Sequence, residues 1–172
     1  MKLTAKVTPL ALALLTFVGA QAQAQITCNT NGCNLQDTVK VTVATVLRLN
    51  LSQAATSLTA PNEAAYDAGF QLDAGPTAGI KANRSWSLKV SSSAGTWTGA
   101  NGANGSKVAG DLLWATSSGG TYTGLSTSPT NFLTGSGTGN TSQLVYYKTL
   151  WSYSSDTPGD YSLVVVFTLS AP

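Results

Sequence analysis

"TVKVTVATVLRLNLS", residues 38–52, carries the clearest pattern in the chain. Every second residue from Val39 gives Val39, Val41, Val43, Thr45, Leu47, Leu49 and Leu51, an almost wholly apolar row. The residues between them, Thr38, Lys40, Thr42, Ala44, Val46, Arg48 and Asn50, are mostly polar. A period of two is the mark of a β-strand, because successive side chains point to opposite faces of the pleat. Held for thirteen residues, it would reach about 43 Å, well beyond the usual five or six residues. Two readings stay open. One is a single bent strand that switches sheets within its own domain. In the other, part of the strand pairs at home and part is donated to a second molecule.

The same period recurs outward from this segment. "YDAGFQLDAG" places Ala68, Phe70 and Leu72 on one face, and "RSWSLKV" does so with Trp86, Leu88 and Val90. "DLLWATS" and "GTYTGL" are shorter versions, and "QLVYYKTLW" is apolar on both rows, as a strand covered on both sides would be. "DYSLVVVFTLS" aligns Tyr161, Leu163, Val165, Phe167 and Leu169, with Val164 and Val166 on the reverse face. "DAGPTAG", "GANGANGS", "SSGG", "GSGTGN" and "DTPGD" separate these runs with the Gly, Pro and Asn chemistry of turns. "PNEAAYDA" carries a helical hint no longer than a turn. Seven or eight turn-punctuated strands predict an all-β fold: an antiparallel β-sandwich, Ig-like in layout, over residues 38–172.

The chain before this domain reads as an export signal and a small loop. Lys2 and Lys6 lead into "PLALALLTFVGA", and Ala22 and Ala24 supply small residues before a cleavage point. This layout predicts a signal peptide over 1–24, with cleavage after Ala24 or alternatively Ala22. The apolar run is shorter than the ~20 residues that span a bilayer, so no transmembrane segment is expected in the mature chain. Cys28 and Cys33 bracket "NTNG" within the segment 25–37. In an oxidising compartment they should close a structural disulfide loop. The expected location is extracellular or at the cell surface, by way of the periplasm. Beyond Lys6, seven basic residues face seven acidic ones, which leaves no electrostatic footprint for nucleic acid.

The residues that carry chemistry are sparse. The chain has no His, which removes the commonest general base and the Ser-His-Asp arrangement. No "GxSxG" turn and no phosphate-cradling Gly loop is present. Glu63, Asp67, Asp73, Asp156 and Asp160 sit beside turns, and the two acids of "DTPGD" are too few for a calcium site. No catalytic residue, metal or cofactor is therefore assigned. Trp97 in "GTWTG" and Tyr122 in "GTYTG" share a Gly/Thr context and are the candidates for stacking against a glycan, whereas Trp86 falls on an inward row.

The closing stretch "LWSYSSDTPGDYSLVVVFTLSAP" resembles secreted bacterial pilin-like sandwiches of the spore-coat-U and archaic chaperone–usher type. Chains of that kind close on a Pro-Gly-x-Tyr turn and a final strand, and Pro158, Gly159, Asp160 and Tyr161 stand in those places. The tight Cys28–Cys33 spacing departs from the longer disulfide expected there. The resemblance implies a non-catalytic structural or adhesive surface protein, a pilus or fibre subunit that assembles by strand addition. The row Val39, Val41, Val43, Leu47, Leu49 and Leu51 would be its assembly strand. Expected partners are copies of itself or other surface subunits. The alternative is a monomeric carbohydrate-binding module using Trp97 and Tyr122, with a glycan as partner.

Overall fold

A computed structural model describes residues 32–172. The expected signal peptide and Cys28, and with Cys28 its pairing to Cys33, lie outside the described residues. The chain divides between Thr42 and Val43. Residues 32–42 contain no helix or strand.

From Val43 onward the chain is built from ten strands, one short α-helix and a 3-10 turn at Ala109–Asp111. They are β1 (Leu47–Leu51), α1 (Glu63–Ala68), β2 (Phe70–Ala82), β3 (Trp86–Ser92), β4 (Thr98–Ala100), β5 (Leu112–Ala115), β6 (Thr123–Gly124), β7 (Thr130–Gly135), β8 (Thr138–Leu150), β9 (Asp160–Ser162) and β10 (Val165–Ser170). Every pairing is antiparallel. The fold is all-β, with more strands than the seven or eight expected. One sheet runs β1-β2-β8-β5-β6, a second runs β10-β3-β7, and β4 pairs with β9.

The inward rows of both sheets meet in one core. Ala78 and Ile80 of β2, Val145 and Tyr147 of β8, and Leu112 and Trp114 of β5 come from the larger sheet. Trp86, Leu88 and Val90 of β3 and Phe132 of β7 come from the smaller one. Trp114, Phe132 and Phe167 form a chain of edge-on ring contacts through this core, the geometry that ring quadrupoles favour.

Three local expectations are corrected. "DAGPTAG" is not a turn: β2 runs through it, and a register shift against β8 between Ala74 and Thr77 takes up Gly75 and Pro76. Proline lacks the N–H that a ladder needs, so a bulge is where a strand accommodates it. "PNEAAYDA" is more than a turn. The Asn62 side chain accepts the Ala65 N–H, and Gly69, at φ 78°, closes the helix in the left-handed region. Most consequentially, the thirteen-residue alternating row is split. Only Leu47–Leu51 forms a strand.

Tyr147 gives the core a pH-sensitive element. Burial pushes its hydroxyl up to about 12 from the ordinary 10. An unfolded chain ionises this tyrosine near pH 10, whereas the folded one keeps it neutral for about two pH units more. The stabilisation is complete below about pH 10 and is lost as pH rises through about 12; at 1.36 kcal/mol per unit this is about 3 kcal/mol. Denaturant midpoints should therefore fall across that window, and Tyr147→Phe should remove this part of the slope. An unchanged slope in the variant would contradict it.

Candidate functional site

The hydrophobic residues that pack on the core but stay half-buried are concentrated on one side. Leu47 and Leu49 of β1, Val165, Phe167 and Leu169 of β10, and Leu163 just before it are all of this kind. On β3, β10's neighbour, Trp86, Leu88 and Val90 are buried. β1 ends the larger sheet, β10 ends the smaller one, and the two strands come into contact across the layers. Their inward rows are incompletely covered because, among the described residues, no strand lies beyond either.

The ladder bonds show which backbone groups this leaves open. Ser93 N donates to Val164 O, so Val164 and Ser93 are a hydrogen-bonded pair. In an antiparallel ladder bonded and non-bonded pairs alternate. Val166, Thr168 and Ser170 therefore bond to β3, while the N–H and C=O of Val165, Phe167 and Leu169 point to the open edge. On β1, Asn83 N donates to Val46 O and Ser52 N to Thr77 O, so the groups of Leu47, Leu49 and Leu51 point away from β2. Edge strands are usually guarded by charge, proline or a bulge. "VVFTLS" of β10 has no charge and no proline.

Beside this edge lies a groove of about 660 Å³. Leu163, Val165 and Phe167 line it from the closing stretch, Leu51 and Tyr147 from the larger sheet, and Leu58 from the β1–α1 connection. Its volume falls within the range of small-ligand pockets and does not choose an occupant. Gln53, Thr56, Ser57, Thr59, Asp160 and Ser162 add a polar part to the lining. The edge of β10, unpaired among the described residues, offers main-chain partners to an extended chain.

A buried ion pair supports the segments that carry part of the lining. Lys107 Nζ donates to Asp156 Oδ1 at 2.9 Å and to Leu150 O at 2.6 Å, and sits 4.4 Å from the centre of the Trp151 ring. The two side chains are 2% and 5% exposed. Asp156 Oδ2 accepts Ser152 N at 2.8 Å. Trp151 meets Tyr161 edge-on at 5.8 Å, and both line the groove. Tyr161 Oη donates to Thr157 O four residues upstream and accepts Asn104 N, a bond pattern like the tyrosine corner of Ig-type sandwiches.

The sequence-predicted residues fare unevenly. Trp97 is not a surface platform: it is 5% exposed, its Nε1 donates to Val108 O, and it belongs to the core. Tyr122, despite its matching context, is half-exposed, with its hydroxyl bonded to Ser118 O. The two do not form one stacking surface. Of the acids, Asp156 pairs with Lys107, Asp73 accepts Thr59 N, and Asp67 accepts the Tyr153 hydroxyl. Among the described residues no cluster of three metal-capable side chains occurs, and no helix is long and apolar enough to cross a membrane. Leu47 and Leu49 reach the core, and Leu51 lines the groove. Val39, Val41 and Val43 are 86%, 84% and 76% exposed. Sequence reasoning missed the Lys107–Asp156 pair, whose partners lie 49 residues apart with no local signal.

Compared with known proteins, the chain matches no family model and no curated protein.

Proposed function

We propose that this protein is a secreted, non-catalytic surface subunit that polymerises by strand addition. Val39, Val41 and Val43 of one copy fill the groove beside β10 of the next. The observation that carries this is a mismatch within one alternating row: Leu47 and Leu49 pack on their own core, while the three valines before them are exposed. The segment has an apolar row of valines and a polar row of Lys40 and Thr42. The groove has an apolar side at Leu163, Val165 and Phe167 and a polar side at Gln53, Thr56 and Ser57, so the two match in chemistry and in length. Five residues from Val39 to Val43 extend about 17 Å, against about 20 Å for the six of β10. Burying each valine is worth about 1.5–3 kcal/mol, and main-chain bonds to the open edges add to that. The resemblance of the Pro158–Tyr161 turn and closing strand to pilin-like sandwiches points the same way. The glycan-binding alternative loses one of its two residues, since Trp97 is buried.

The test is Val43→Asp in the exported chain, read by size-exclusion chromatography with light scattering. Val43 is exposed, so the variant should fold with an unchanged melting temperature. A charge carried into the groove, together with the lost valine, should weaken assembly roughly 100-fold or more. An unaltered oligomer distribution would refute donation of this strand.

A further inference from the structure

An arm that fits a neighbour's groove has a nearer competitor, the groove of its own chain. A segment on a short flexible tether meets its own site at an effective concentration on the order of 1 mM. Neighbours at micromolar concentration would lose to it about a thousandfold. Polymerisation therefore requires that folding back be blocked, and we propose that Asn83 is the positioning residue that blocks it. This rests on the strand-donation reading.

Three bonds from this one residue hold the root of the arm. Asn83 N donates to Val46 O at 3.2 Å. Its side-chain Nδ2 donates to Ala44 O at 2.7 Å, and its Oδ1 accepts Val46 N at 2.8 Å. β2 ends at Ala82, so Asn83 stands in for the next ladder partner and holds Val46 and Ala44, one and three residues before β1. To return along the free edge of β1 or β10, the chain would have to reverse between Val43 and Leu47. A four-residue turn over Val43–Val46 would need the Val46 N–H, and one over Ala44–Leu47 the Ala44 carbonyl; the Asn83 side chain occupies both. The sequence adds no help to a reversal. "TVKVTVATV" has no Gly, Pro, Asn, Asp or Ser, and its Val and Thr residues are β-branched and favour extended backbone. The clamp thereby opposes a reversal at Ala44–Val46, and the next copy's groove becomes the arm's partner.

Two side-chain hydrogen bonds of ordinary strength bias the outward arm over the folded-back arm by roughly 10- to 100-fold; this offsets most of the thousandfold advantage, and the β-branched stretch that disfavours a reversal supplies the remainder. The experiment uses the full exported chain and a labelled synthetic peptide of residues 37–45 as the groove probe. Asn83→Ala should shift the oligomer to monomer and cut peptide capture by dilute monomer about 10-fold, because the chain's own arm now occupies the groove. Adding Val43→Asp should restore capture to the level of Val43→Asp alone, since an arm with a carboxylate in place of that valine cannot fill the groove. A merely structural defect at Asn83 would leave capture low in the double variant as well. Parent-like assembly by Asn83→Ala, or no recovery in the double variant, overturns the role of Asn83 alone. Parent-like assembly by Val43→Asp overturns strand donation, and this inference with it.

Discussion

Replacing Lys107 by alanine should lower folding stability by about 3–5 kcal/mol, the loss expected when one partner of a buried ion pair is removed. Asp156 would stay behind with its side chain 5% exposed. It would keep the Ser152 N–H but have no cation at contact distance. Leu150 O would lose its 2.6 Å donor, and the Trp151 ring its cation. Asp111, 3.6 Å from Lys107 Nζ, adds a second carboxylate to the same locality, which makes an unneutralised site worse. For a domain of this size the melting temperature should fall by roughly 10–20 °C. The double variant Lys107→Met, Asp156→Leu should recover most of the loss, because removing both charges removes the desolvation problem. A single-variant shift below about 3 °C would mean that the pair is solvated in practice. Trp151 lines the groove, so assembly should weaken along with stability in the single variant.

Gly159→Ala should cost a similar amount, about 3–5 kcal/mol. Gly159 sits at φ +151°, a region that residues with a Cβ rarely adopt. A Cβ there would run into the backbone nitrogen of Ala103 and lie 2.7 Å from the Ala100 carbonyl oxygen. Both are backbone atoms next to β4, which pairs with β9 directly after the glycine, so neither can step aside like a flexible side chain. The substitution should displace Tyr161, whose hydroxyl ties Asn104 to Thr157. Gly95→Ala is the matched control. A Cβ at Gly95 meets nothing within 4 Å, and thermal unfolding should differ from the parent by no more than about 2 °C. Equal melting temperatures for both variants would show that the 100–103 turn yields easily.

These two positions explain why part of the site was legible in sequence and part was not. The Pro158-Gly159-x-Tyr161 turn is local: its glycine and tyrosine stand within a few residues of the strand they start, so a short motif records them. Lys107 and Asp156 record nothing locally, since each looks ordinary among its neighbours until the fold brings them together. Trp97 and Tyr122 make the same point in reverse. Both sit in Gly-Thr-aromatic-Thr-Gly, yet the bridge between Thr96 and Val108 places Trp97 against the core, while Tyr122 sits in the loop between β5 and β6. "DAGPTAG" misleads for a related reason. Gly and Pro signal a turn unless a neighbouring strand, here β8, holds both flanks in register.

By itself, the sequence determined that the chain is all-β, which segments alternate, and that residues 38–51 carry one apolar row. Those properties follow from side-chain periodicity and turn chemistry, which act over a few residues. Only the tertiary structure decided where that row divides, with Leu47–Leu51 pairing to β2 and Val39–Val43 left exposed. It also decided that β1 and β10 both end their sheets beside one groove. A strand's face is written in its own residues, but its edge is open or closed only by what lies next to it.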